Sequence, residues 1–182
     1  MDGLLAELLA FVVWLDQQAV ELTLAVRGPL VTKVMTSVTG LGSATAALVF
    51  LGVCHLAGWD DELWSAGVAL AVTGVVVGKL MATIQRPFPP DPVCLTDGAD
   101  TVATSFPSGH AAAVTVYAMT ARRSAVLPFG IVAVLAGLIA VSRVYLGTHY
   151  ASDTIVGVLI GIGAFLVAVE LRKRFDHRAL VE

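Results

Sequence analysis

Three short runs hold nearly all the polar residues that the apolar segments do not explain. Lys79 is followed after six residues by Arg86-Pro87. Pro107-Ser108-Gly109-His110 comes next, then Ser142-Arg143, five residues, His149, three residues and Asp153. Cations, two imidazoles and one carboxylate suit an anionic phosphoryl group, with a histidine as nucleophile. A carboxylate four residues on can reach an imidazole along a helix, fix its tautomer and free the other ring nitrogen to attack. Arg143 offers a planar fork that matches two phosphate oxygens. Ser108 and Gly109 stand where an alanine-rich helix begins, and free N–H groups at such an end seat an anion, the glycine letting a ligand approach the backbone.

Each run has a plain alternative when taken alone. Lys79 and Arg86 can snorkel to an interface, Ser108 can be a simple helix cap, and His149 with Asp153 can be an ordinary pair at a helix start. Lys79 and Arg86 share a face if the helix continues through both, whereas Pro87 favours an extended Arg86 turned over the site. The conjunction outweighs the separate alternatives, because ionisable groups at membrane depth are costly and mark function. No carboxylate cluster suits magnesium, so metal-independent chemistry with no cofactor is expected.

The elements that position these runs must lie in lipid. Of 182 residues, 57% are apolar and 14% charged, against about 45–50% and about 25% in soluble domains, and mean hydropathy is +0.86. Apolar stretches at about 34–57, 63–81, 110–121, 125–141 and 154–169 are continuous rather than alternating. That pattern predicts an all-α, polytopic transmembrane helix bundle of five to six spans. A full crossing takes about 20 residues, so the third and fourth stretches must borrow neighbours such as Ser108 and Ser142. Gly74 with Gly78, and Gly157 with Gly161, have the spacing of close helix contacts.

Residues 1–27 lack the basic start and small-residue cleavage site of a signal peptide. With Asp16, Gln17, Gln18 and Glu21 among leucines and valines, they suit an interfacial helix or a short sixth span. Lys and Arg in the connections orient the bundle. If 63–81 runs outward, Arg122, Arg123, Arg172, Lys173, Arg174 and Arg178 lie inside, against Arg27 and Lys33 outside. The three polar runs then converge on the outer face, with residues 172–182 a cytoplasmic tail. A net charge of −3 and the absence of nucleotide motifs argue against a nucleic-acid partner. Two cysteines, Cys54 and Cys94, sit near opposite faces, so no intrachain disulfide is expected.

Lys-x6-Arg-Pro, Pro-Ser-Gly-His and Ser-Arg-x5-His-x3-Asp, in this order, resemble the signatures of the type 2 phosphatidic acid phosphatase (PAP2) superfamily of membrane lipid phosphatases. The likeness is strong over 79–153 and implies one membrane domain over 1–182. It implies attack on phosphorus by His149 oriented by Asp153, leaving-group protonation by His110, and phosphate held by Lys79, Arg86, Ser108, Gly109 and Arg143. Some members carry a further Arg-Pro after the first, where this chain reads Phe88-Pro89-Pro90. Vanadium haloperoxidases share the pocket residues but are soluble, which the apolar spans here argue against.

The expected partners are the bilayer and a lipid phosphate: a polyprenyl diphosphate, phosphatidate or phosphatidylglycerol phosphate. The chain shows no added soluble domain, as in small microbial members that recycle polyprenyl carriers. Two other readings stand beside hydrolysis: phosphotransfer to a lipid or sugar hydroxyl, and lipid-phosphate binding or transport without turnover. The last has no need of His110, His149 and Asp153 together. The connection 88–106, with Asp91, Asp97 and Asp100, is either a solvated connector or a shaper of lipid entry.

Overall fold

The computed structural model describes residues 2–93 and 104–179. Seven α-helices follow one another: α1 (Asp2–Val26), α2 (Pro29–Thr39), α3 (Ala44–Leu56), α4 (Asp60–Thr83), α5 (Gly109–Arg123), α6 (Phe129–Tyr145) and α7 (Ala151–Ala179). Among the described residues α1, α4 and α7 are long and apolar enough to cross a membrane, and α2 with α3 forms a fourth candidate bent by 57°. The protein is an all-helical membrane protein. Helices α5 and α6, expected as spans, have 15 and 17 residues, short of the roughly 20 a full crossing takes.

Local chemistry explains the breaks. Pro29 occupies the first position of α2 after Gly28, where a missing N–H costs nothing. The stretch expected as one span at 34–57 is interrupted at Gly40-Leu41-Gly42, a 3-10 turn, after which Ser43 caps α3 by accepting the Ala46 amide at 3.2 Å. Helix α4 stops before the run containing Pro87, Pro89, Pro90 and Pro92. Arg86 therefore lies outside the helix, so of the two placements open from the sequence the shared helical face with Lys79 does not hold.

Helices α4, α5 and α7 pack around Ala66, Ala69, Val116, Ala164, Phe165 and Ala168. A second cluster, Val114, Ala136 and Ile139, joins α5 to α6. Small residues let α7 close on α5: a Cβ at Gly161 would stand 2.5 Å from the Ala112 carbonyl oxygen, and one at Gly157 would fall on that of Ser108. The other pair behaves differently from expectation, since a Cβ at Gly74 or Gly78 meets nothing within 4 Å. Gly74 instead lines a cavity.

Gly161→Ala is expected to destabilise the fold by about 1–3 kcal/mol, because a backbone carbonyl cannot move aside as a side-chain end can. Gly163→Ala, placed in open space, should be near neutral. Thermal unfolding of the two variants in detergent makes the comparison.

The packing puts the three polar runs at one end of the bundle. At the other end Arg172 of α7 meets Asp61 of α4 at 2.5 Å, largely exposed, and Arg123 lies 6.0 Å from the Phe165 ring centroid. Helix α1 leaves most of its apolar surface uncovered. Leu4, Leu5, Leu8, Leu9, Phe11 and Trp14 are all exposed, whereas Asp16 is 2% exposed.

Candidate active site

Backbone pairing between distant segments builds the site. The Ser105 amide donates to the Arg86 carbonyl at 2.8 Å. Thr104 Oγ1 donates to the Ile84 carbonyl at 2.8 Å and Ser105 Oγ to that of Pro87 at 3.1 Å. The first and second polar runs are thereby tied. The Ser108 amide donates to the Asp153 carbonyl at 3.1 Å, which ties the second to the third.

Within the third run, helix α6 ends on Gly147 at φ +68°, a left-handed closing residue that glycine adopts without strain. The amides of Thr148 and His149 both donate to the Arg143 carbonyl at 3.2 Å. This fold-back brings His149 beside Arg143, so a six-residue separation in sequence becomes adjacency in space.

Gly109, His110, Arg143 and His149 line one cavity of about 730 Å³. Its remaining wall is largely apolar, including Leu48, Leu51, Leu70, Val77 and Met81. Polar groups stand at one end and space for a hydrocarbon chain opens between α3 and α4. The other sequence-derived candidates lie elsewhere. Ser108 is fully buried and caps α5, its Oγ accepting the Ala111 amide at 3.4 Å. Lys79 is exposed and absent from the cavity wall.

Arg86 and Asp153 face each other behind the cavity. Arg86 Nη1 donates to Asp153 Oδ1 at 2.5 Å and to Ser152 Oγ at 2.8 Å, while Nη2 donates to Asp16 Oδ2 at 2.7 Å. The guanidinium also lies 4.0 Å from the Tyr150 ring centroid, a cation–π arrangement. Burial works against this charge, but the hydrogen bond to Asp16 and the field of and hydrogen bond to Asp153 outweigh it and raise the Arg86 pKa.

The geometry corrects one sequence expectation. His149 precedes α7 rather than lying on it, and its Nδ1 contacts the backbone carbonyl of Ser105, not Asp153. Asp153 commits Oδ2 to the Tyr150 amide at 2.8 Å and Oδ1 to Arg86. The i to i+4 reach fails because the chain between the two residues is still entering the helix. A carbonyl oxygen can only accept, so Nδ1 carries the proton and the Nε2 lone pair is free. The tautomer expected from a carboxylate is set by a backbone oxygen.

Four contributors were not singled out in the sequence. Ser105 holds His149, Thr39 Oγ1 accepts from Arg143 Nη1 at 2.8 Å, and Asp16 and Ser152 bind Arg86. Gly42 is a fifth, since a Cβ there would stand 3.0 Å from the His110 ring. Asp16 was visible only as one of the polar residues, with Gln17, Gln18 and Glu21, that suggested an interfacial helix. For Ser105 there was no signal, because its contribution is a main-chain atom. Cys94, Asp97 and Asp100 lie outside the described residues.

The PAP2 superfamily model matches residues 62–176. The chain belongs to the PAP2 superfamily. It is a phosphatase of that superfamily, and its matched region contains all three polar runs. It is similar to the decaprenylphosphoryl-5-phosphoribose phosphatase of Mycobacterium tuberculosis, with 32% identity over 124 residues, 67% of this chain and 69% of that protein. It is similar also to phosphatidylglycerophosphatase B of Bacillus subtilis, 27% identical over 182 residues, 90% of this chain and 84% of the relative.

Two crystal structures share the fold. Aquifex aeolicus LpxE gives a TM-score of 0.72 at 24% identity, covering 85% of this chain and 94% of that one. The transmembrane PAP2-type phosphatidylglycerolphosphate phosphatase of Bacillus subtilis gives 0.75 at 20%, covering 93% and 96%.

Burial, reinforced by the nearby Arg143 guanidinium and His110, pushes the His149 pKa down to about 3, although the Ser105 carbonyl opposes this. The imidazole of this PAP2 site is therefore neutral near pH 7. Between about pH 6.5, the ordinary value, and about 3, the unfolded chain binds a proton that the folded one refuses. Stability should thus be insensitive to this group above pH 6.5 and fall as the pH drops below it, by up to about 1.4 kcal/mol per unit. Unfolding temperatures in detergent from pH 4.5 to 7.5 check this, and His149→Asn should flatten the slope.

Proposed function

We propose that the protein hydrolyses the terminal phosphate of a lipid-linked phosphate through a covalent phosphohistidine on His149. Hydrolysis of lipid phosphates is the activity its family membership supports; the intermediate and the substrate class go beyond it. The observation that carries it is His149, with Nδ1 protonated against the Ser105 carbonyl, at the polar end of a cavity whose other walls are apolar. One end suits a phosphate and the other a hydrocarbon chain.

His149 Nε2 attacks phosphorus in line while the P–O bond to the lipid breaks. His110, which burial and Arg143 hold neutral at a pKa of about 4, takes up a proton as the anionic phosphate enters and delivers it to the departing oxygen. Water then attacks the phosphohistidine, His110 accepting its proton, and inorganic phosphate leaves. Arg143 and the Gly109 amide at the α5 N-terminus hold the phosphoryl oxygens as charge shifts among them. Arg86 supports this arrangement through Asp153 rather than from the cavity wall.

Both named relatives have lipid-linked headgroups bearing phosphate in their names, a phosphoribose and a glycerophosphate. A monoester on such a headgroup is accordingly the proposed substrate class, with a polyprenyl anchor favoured over a diacylglycerol one. The excess of Lys and Arg at the opposite end supports an outward-facing site and a cytoplasmic C-terminus.

The test is phosphate release in detergent from polyprenyl-linked and glycerolipid phosphates and from prenyl diphosphates, with EDTA throughout. Release that persists with EDTA and favours one lipid class assigns the substrate. Absence of release from every lipid would sink the proposal.

A further inference from the structure

Helix α7 begins at a residue that cannot cap it. Tyr150 occupies the N-cap position, its carbonyl accepting the Thr154 amide at 3.2 Å, but a phenol on that ring cannot fold back onto the first free amides as Ser, Thr, Asp or Asn would. Two carboxylates do this instead. Asp153, three residues on, reaches back to the Tyr150 amide at 2.8 Å, half of a capping box. The second arrives from α1: Asp16 Oδ1 accepts the Ser152 amide at 2.9 Å, and Asp16 Oδ2 accepts the Ser152 hydroxyl at 2.6 Å and Arg86 Nη2 at 2.7 Å.

We propose that Asp16, on the N-terminal helix and outside every family signature in this chain, is a positioning residue that locks Arg86 and the start of α7 so that Asp153 and the His149 segment hold reactive geometry. Its catalytic consequence rests on the phosphohistidine reading above.

The physical case is specific. Asp16 is 2% exposed on a helix whose leucines, phenylalanine and tryptophan are otherwise exposed, so α1 buries a charge while leaving most of its apolar surface uncovered. Burying a carboxylate is unfavourable unless it is paired and hydrogen-bonded, and here both oxygens are matched to three donors. Packing of α1 does not require an acid at this position; the partners do. Arg86 receives its second carboxylate from Asp16, which fixes the guanidinium plane between α1 and α7. That plane sets where Asp153 Oδ1 rests, and the Asp153 carbonyl in turn holds the Ser108 amide at the start of α5. A displacement of Arg86 would therefore pass to both the segment of His149 and the segment of Gly109 and His110.

The test compares Asp16→Asn, Asp16→Glu, Ser152→Ala and, as a control on an exposed position of the same helix, Glu21→Gln. Asp16→Asn keeps shape and loses charge. It is expected to lower kcat about 10–100-fold with KM within about threefold, the size expected when reacting groups are misplaced without losing contact with substrate. Asp16→Glu should recover part of the loss and Glu21→Gln should behave as wild type.

A fall in unfolding temperature with unchanged kcat per folded molecule would make Asp16 merely structural and overturn the proposal. Should Asp16→Asn fail to fold, Ser152→Ala carries the test, since it deletes only the hydroxyl shared by Asp16 and Arg86. A fall in kcat of about three- to tenfold supports the network, and none overturns it. Orthovanadate, a five-coordinate mimic of phosphoryl transfer, separates this idea from the function itself. If wild type releases phosphate but all variants match it, positioning by Asp16 falls and the phosphatase reading stands. If wild type releases none, the reading falls, and vanadate binding then decides: weaker binding to Asp16→Asn sustains the positioning role, and equal binding removes it.

Discussion

His149→Ala is expected to lower kcat/KM for lipid phosphate by at least about 10⁴-fold, the scale seen when a covalent nucleophile is deleted and only binding and charge stabilisation remain. The unfolding temperature should fall only modestly near pH 7, reflecting the about 1–3 kcal/mol cost of leaving the buried Ser105 carbonyl without its donor, which leaves the folded protein intact while activity is lost. That separation of activity from stability distinguishes a nucleophile from a structural histidine. Rapid acid-free quenching with a radiolabelled substrate should trap phosphate on the wild-type chain. The bond, a phosphoramidate, should survive alkali and be lost in acid. A label stable to acid would point to a different nucleophile, and an equal label on His149→Ala would exclude this one.

Replacing Asp153 should cost both stability and rate. Alanine there leaves the Tyr150 amide without an acceptor and strips Arg86 of one of two carboxylates. Asp153 is fully buried while the Arg86 side chain is 27% exposed, so the penalty is moderated by solvent at the arginine and by the remaining Asp16. A loss of about 3 kcal/mol follows from an orphaned amide and a weakened charged hydrogen bond.

Asparagine separates the mechanistic possibilities. If Asp153 set the imidazole tautomer directly, Asp153→Asn would cost about 10⁴-fold in kcat, as an inverted tautomer does in a triad. With the Ser105 carbonyl holding Nδ1, the expected cost is about 10–100-fold, arising from displaced Arg86 and a loosened α7 start. Measuring kcat and unfolding temperature for both variants decides between them.

Much of this was legible along the chain because it is encoded locally. Continuous apolar runs dictate helices in lipid, since unpaired backbone polar groups are intolerable there. Prolines after Ile84 mark where α4 stops, whereas the break at Gly40-Leu41-Gly42 falls inside a stretch expected as one span. The polar runs were legible because lysine, arginine, histidine and aspartate are too costly near the membrane to be casual, and the glycines at 157 and 161 announced a close helix contact, though not that its partner is α5.

What the sequence by itself determined, then, is residue type and local geometry: an all-helical membrane protein, the polar runs that supply His110, Arg143 and His149, and the family to which they belong. Tertiary structure decided which of these groups face one another. It turned Arg86 to Asp153 and Asp16, left Lys79 exposed on α4, and replaced the expected Asp153–His149 hydrogen bond with one to the Ser105 carbonyl. The reason is physical. Every residue carries the same backbone oxygen, so nothing in a residue's identity reveals where a carbonyl will point. The partner of a buried charge is likewise chosen by whichever donor or acceptor the packing brings within reach.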